Sequence, residues 1–492
     1  SGADHFQALI DQIPNLNWAG GTSRPRYFQI RGIGERSQYF GEGSPNHSVS
    51  YEIDGIDLSG IGMVGGMIDI DQIEVARGSQ STVFGNNAIA GSITLSSTEP
   101  ERKNSINLYH KLGSDNLKNT GITANLKAYK GLLFRVSLYK NYQDGFRKNK
   151  FFDVRNTNKK DETFLRLKMN LGLNENITVR NTILLSNMDN GYDAWAPDNN
   201  DEYITYTDQP GKDSQKTKAL ASKLVFNQKD FSIMAKISSS YSELEHSYDG
   251  DWGNLDYWAG EPFNYYEDNL DYFSEEVCMQ YSGYYPCYYP YDFFDKTNRE
   301  RESISQEVRF HKTLSRKTSM TAGGYTKFTT EKDDASGYLI GGDASEFDGS
   351  FEMQNTAGYF QYEQELIPRF SLILNSRIES SAIDYIGESN NYGADDTLIT
   401  VNNTNALTGY KSALKYELSQ TAMIYSSISR GYKSGGINQN PYLGSSNRSY
   451  EPEFNLNYEA GYKSVTCSNQ LQFTIFYMSR QNQQVNISSQ QE

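Results

Sequence analysis

The sequence predicts a β protein: a transmembrane antiparallel β-barrel preceded by a smaller mixed α/β domain. Three observations lead there. Apolar residues make up only 37% of 492 positions, too little for a soluble chain of this length with a conventional core. After Pro100 the sequence falls into segments of strict period-two hydrophobicity. The connections between them are long and short in alternation, as in outer-membrane barrels, whose turns are tight at one rim and long at the other. A soluble β-sandwich has no reason to gather its long loops at one end.

The first hundred residues have a different rhythm. Phe6, Leu9, Ile10 and Ile13 mark one face of a short helix over Asp4 to Ile13, ended by Pro14. Strand-like runs follow at 27–31, 49–53, 72–76 and 92–96, separated by Gly-rich turns. Gly32, Gly55, Gly78, Gly85 and Gly91 are expected where the backbone needs positive φ. Gly32-Ile33-Gly34 is not a dinucleotide loop, because residues 35–48 are polar loop where a helix would be required.

In the second region, Leu165, Leu167, Met169, Leu171 and Leu173 share one strand face and Arg166, Lys168, Asn170 and Gly172 the other. The pattern recurs at 122–128, 134–138 and 471–477. About fifteen strands fit, each near the ten residues that cross a bilayer when tilted. Short turns are read at Lys130-Gly131, 174–176, 228–230 and 418–420. Apart from a short first loop near 113–118, the other connections are read as long, near 143–161, 188–216, 242–301, 331–352, 380–404 and 434–452.

Composition excludes several functions. No run approaches the 18 apolar residues of a membrane helix, and the chain opens without the charged start and apolar core of a signal peptide, as a mature, trimmed or partial chain would. Three cysteines exclude a disulfide framework. Cys278 and Cys287 lie close enough in sequence to pair in an oxidising compartment, leaving Cys467 over. The five histidines (5, 47, 110, 246, 311) show no ligand spacing, so no metal site is expected. There is no nucleophile elbow, HExxH or P-loop, hence no catalytic residue and no enzyme. Segment 242–300 holds 14 acidic and two basic residues, with eleven tyrosines and two tryptophans. It reads as a solvated loop packed down by its aromatics; a ligand lid or cation site is the alternative.

Five segments carry a family resemblance: Tyr27–Gly34, Val49–Ile56 and Asp71–Ile93 in the first region, then Ser429–Asn438 and Tyr458–Ser464 in the second. Together, and in this order, they resemble the plug and barrel of TonB-dependent outer-membrane receptors. The resemblance implies a plug over 1–100, partial at its N-terminus, inside a barrel over 101–492. Such transporter barrels have 22 strands. About seven would then be missing at the C-terminal side, where no terminal amphipathic strand ending on an aromatic is found. It also implies that Arg31 and Arg77 face barrel glutamates, of which Glu459 matches one. The other is unplaced: its candidate position holds Arg430, and Glu307 is a guess.

By the same resemblance, ligand meets plug loops 34–48 and 58–66, nominating Arg24, Arg36, Gln38, Tyr39, Phe40 and Met63. The implied function is energised import across the bacterial outer membrane of a ferric siderophore or other iron complex, with no cofactor. Its implied partners are TonB with its inner-membrane energising complex, the iron chelate, and outer-membrane lipid and lipopolysaccharide, but no nucleic acid. Cobalamin or oligosaccharide cargo, and a passive porin-like channel, are the alternatives. The acidic loop favours a neutral or cationic chelate over an anionic one.

Overall fold

The computed structural model describes residues 5–19, 21–35, 43–62, 65–128, 131–263, 292–339, 344–390, 397–439, 444–467 and 469–485. Fifteen strands form one sheet in which each pairs antiparallel with the next along the chain, from Ser105–Leu112 to Gln470–Gln481. Those two strands are its edges and are not paired with each other among the described residues. The strand number agrees with the expectation from periodicity. No described helix is long and apolar enough to cross a membrane.

Strand length departs from expectation. The early strands run 8–13 residues, but Phe294–Ser315 has 22 and Ala344–Ile367 has 24. The polar segments read as loops at 331–352 and 380–404 are therefore largely strand: Thr318–Leu339 pairs with Ala344–Ile367, and Phe370–Asn390 with Thr397–Glu417. Period-two hydrophobicity stops where lipid stops, whereas the backbone ladder continues as long as both strands do.

The two sheet faces are sorted by chemistry. Ile122, Leu138, Leu185, Leu220, Ile304, Phe328, Ile378 and Ile428 point outward and are exposed. Arg166 and Lys168, between leucines in sequence, point inward and are buried. This inversion of the soluble rule is what an apolar solvent outside and a filled polar interior require.

The described residues up to Ser97 fill that interior. Val49–Ile53 pairs in parallel with Gly91–Ser97, which pairs antiparallel with Ile70–Arg77; Ile56–Asp57 closes the other edge. Its small core includes Phe28, Ile30, Tyr51, Ile53 and Ile93, with the Phe28 and Tyr51 rings stacked at 5.4 Å. The predicted helix is a single turn, Gln7–Ile10, whose residue Ile10 and the preceding Phe6 are buried as its apolar spacing requires. So short a helix is held by packing, not by propensity. All five glycines named above have positive φ, from +74° at Gly85 to +158° at Gly91.

Candidate functional site: the plug–barrel seam

Charge meets charge across the seam between the N-terminal body and the inner wall. On one side the body supplies the cations. Arg24 grips Glu162 through two bonds, Nε to Oε1 at 2.5 Å and Nη2 to Oε2 at 2.7 Å. Arg26 meets Asp213 at 2.6 Å, and the same carboxylate accepts from the Ser23 amide. Arg31 reaches Glu459 at 2.8 Å with Phe476 3.9 Å from its guanidinium carbon. Elsewhere the polarity reverses. Asp69 accepts two bonds from Arg135, at 2.7 and 2.6 Å, and one from Ser137. Lys168 pairs with Glu99 at 2.5 Å and Asp54 at 3.5 Å, Lys327 with Asp57 at 2.7 Å, and Lys433 with Glu35 at 2.7 Å.

Such pairs are geometrically exacting but contribute little net stability, because each charge loses its water. They fix where the inner body sits more than how strongly it is held. Arg166 adds neutral contacts, donating to the carbonyls of Ile68 at 2.7 Å and Asp69 at 3.0 Å.

A narrow, polar-lined cleft lies in the seam between His47, Asp57, Asn86 and Asn87 on the body and Arg301, Tyr325, Lys327 and Glu379 on the wall. Both ring nitrogens of His47 are buried without a hydrogen-bond partner and line this space. Burial, then the charge of Arg301, pushes the His47 pKa down to about 3, with Glu35 opposing. The imidazole is therefore neutral at ordinary pH. For Glu35 burial alone raises the pKa, but the Lys433 ammonium and the Ser48 hydrogen bonds outweigh it and hold the value at about 2.

The nominated residues fall into three groups. Arg36, Gln38, Tyr39, Phe40 and Met63, like Cys278 and Cys287, lie outside the described residues. Arg24 is occupied by Glu162 in a buried pair. Arg31 and Glu459 are in contact, whereas Arg77 donates to the Pro14 carbonyl at 3.2 Å and has no carboxylate partner among the described residues. Glu307 bonds Arg309, Tyr359 and Lys236, all within the wall. Arg430 points to the Thr408 carbonyl and to the Phe454 ring.

Sequence reasoning missed Glu162, Asp213, Asp69 and Asp57 altogether. The signal available was that Glu162 and Asp213 are acidic residues on strand faces otherwise reserved for the interior. Without knowing what fills the interior, they read as ordinary polar positions.

In the acidic segment, Asp251 ties the two ends together, accepting from the amides of Gly253 and Phe293 and from the Trp258 indole at 3.0 Å. Trp195 stacks on Trp252 at 5.7 Å, and Tyr257, Trp258 and Phe263 pack on one another. No cluster of three metal-ligating side chains occurs among the described residues.

Two family profiles match. The TonB-dependent receptor plug domain covers residues 1–92, and the TonB-dependent receptor-like β-barrel covers residues 104–492. Among solved structures, the ferric yersiniabactin uptake receptor FyuA from Yersinia pestis is similar at a TM-score of 0.80 and 16% identity, covering 97% of this chain and 70% of that one. The siderophore receptor PiuA from Acinetobacter baumannii follows at 0.68 and 15%, covering 94% and 68%. The alcaligin outer-membrane receptor FauA from Bordetella pertussis gives 0.66 and 10%, covering 99% and 70%. With a plug profile and a barrel profile spanning nearly its whole length, the chain belongs to the TonB-dependent receptors of the Gram-negative outer membrane, a family of transport receptors and not of enzymes.

Proposed function

We propose that this receptor imports a ferric siderophore or a related iron complex, with residues 1–100 acting as the plug and 101–492 as barrel wall. The observation that carries the reading is an inner body seated by ion pairs of both polarities in a fold shared with receptors named for ferric yersiniabactin, siderophores and alcaligin. Pairs of this kind position a body without welding it in place, which suits a gate that must be displaced. Cargo meets the plug loops 34–48 and 58–66. TonB, driven by its inner-membrane complex, then pulls on the plug. Arg31 and Glu459 act as one lock between the two parts, and outer-leaflet lipid and lipopolysaccharide surround the exposed apolar band. Cobalamin or oligosaccharide cargo would use the same mechanism. A passive channel is disfavoured by the filled interior.

The test is uptake of a labelled ligand panel by cells expressing the complete gene, with and without TonB. Uptake of a ferric chelate that vanishes without TonB supports the proposal. Uptake of a sugar or cobalamin alone would discard iron, and uptake indifferent to TonB would discard energised gating.

A further inference from the structure

The signature Ser429–Asn438 is explained by no ion pair at the lock. The strand Ala422–Lys433 ends within it, and the chain beyond folds against the plug. There Asn86 sits at a hub. Its Oδ1 accepts from the Ser434 amide at 2.5 Å, and its Nδ2 donates to Ser434 Oγ and to Asn46 Oδ1, each at 3.0 Å. Asn46 Nδ2 in turn donates to the Gly435 carbonyl at 3.2 Å. The Ile437 amide donates to Ser44 Oγ at 2.9 Å, and the Gly43 amide to Gln439 Oε1 at 3.3 Å. Lys433 holds Glu35, and Ser81 Oγ lies 3.2 Å from both the amide and the carbonyl of Tyr432.

These groups are almost fully buried: Ser44 and Asn46 are 1% exposed, Asn86 4%, Ser434 0% and Gln439 1%. The paired glycines follow from the same geometry. A Cβ at Gly435 would lie 2.3 Å from the Tyr450 carbonyl, and one at Gly436 would lie 2.2 Å from the Tyr450 hydroxyl. The neighbour at Gly435 is backbone and cannot swing aside as a side chain can, so glycine there lets the segment run this close.

Four of the plug groups involved flank one loop. Glu35 stands at the start of loop 34–48, and Gly43, Ser44 and Asn46 near its end. We propose that Asn86 is a positioning residue that pins both ends of this loop to barrel segment 432–439 as one cooperative clasp. Its placement of a cargo-facing loop rests on the uptake reading; the clasp itself does not. A buried network bonded across both sides opens as a unit, because breaking one bond strands the next donor without water.

Hydrogen–deuterium exchange of the full chain in lipid vesicles decides it without any cargo. In Asn86→Ala, the Ile437 and Gly43 amides, which do not touch Asn86, should exchange at least tenfold faster together with that of Ser434. The reciprocal variant Ser44→Ala, which removes the acceptor of Ile437 together with the Ser44–Tyr450 hydrogen bond and leaves every Asn86 bond in place, should accelerate Ser434 as well. Amides of the strand Lys160–Gly172, on a different part of the wall, should not change in either. Acceleration confined to the directly bonded amide in both variants would overturn the clasp. Should Asn86→Ala not assemble, Ser44→Ala alone decides. A failed uptake panel would leave this result untouched, so the two proposals fail separately.

Discussion

Arg31 and Glu459, 428 positions apart in sequence, meet at 2.8 Å, with Gly78 beside them: a Cβ there would lie 3.1 Å from Arg31 Nη1. Arg31 takes a positive φ of 55° to make the contact, a conformation with a backbone cost that surrounding structure must hold. Its Nε and Nη1 are buried without hydrogen-bond partners, while Glu459 also accepts from Tyr425 at 2.7 Å. The pair is thus satisfied on the barrel side and under-satisfied on the plug side.

Removing either partner from that pair should therefore be unequal. Arg31→Ala relieves an under-bonded cation and leaves Glu459 its tyrosine, whereas Glu459→Ala strands a buried guanidinium, a loss of roughly 3–5 kcal/mol in comparable buried pairs. The urea concentration at which a bilayer-inserted receptor begins to conduct should fall more for Glu459→Ala than for Arg31→Ala. The reverse order would refute this account of the lock.

Asp69 and Arg77 offer a second contrast. Asp69 accepts three bonds from the wall, while Arg77 donates to a carbonyl of its own domain at an exposed site and has no carboxylate partner among the described residues. Limited trypsin digestion should cut the plug of Asp69→Asn several-fold faster than wild type and that of Arg77→Ala at the wild-type rate. Equal protection in both variants would show that the Asp69 pairs do not seat the plug.

Gly85 touches the wall where no side chain fits. Its φ is +74°, and a Cβ would lie 2.6 Å from Glu379 Oε2 and 2.8 Å from Arg377 Nη2, members of a buried ion pair bonded to Tyr432. Gly85→Ala adds backbone strain to a steric clash, together about 1–3 kcal/mol. The heat-modifiable gel transition should shift to lower temperature. An unshifted transition would mean that the Arg377–Glu379 pair moves freely aside.

Acid should loosen the clasp. Glu35 holds its proton only below about 2 when folded, against 4.5 ordinarily. The folded pKa is depressed, so the stabilisation is complete above 4.5 and is lost as pH falls from there towards 2. Plug release by urea should become easier between pH 5 and pH 3 in wild type, and Glu35→Gln should lack this dependence while being weaker at pH 7. Parallel pH curves for the two proteins would remove Glu35 from the explanation.

Ile378 tests which solvent the outer face meets. It is 68% exposed, one residue from the inward, buried Glu379. Arginine there should cost about 2–4 kcal/mol if the site lies near mid-bilayer, read as a lower folding midpoint in lipid vesicles. A neutral outcome would place the residue in water.

The sequence by itself determined the architecture. Period-two alternation gave the strand number, and the spacing of Gly55, Gly78 and Gly85 marked turns with positive φ, because both signals are local and depend only on the backbone and its immediate solvent. The Arg31–Glu459 contact was legible too, though only through motifs far apart in the chain. Tertiary structure decided the rest. That Arg24 would be taken by Glu162, that Arg77 would turn to Pro14, and that Asn86 would join the loop ends to Ser434 all depend on which wall strand faces which plug loop. Strand ends beyond the apolar band were likewise invisible, since polar residues pair in a ladder without leaving any hydrophobic pattern to read. Period and turn chemistry are written residue by residue; partners across a filled interior exist only once the wall has folded around the plug.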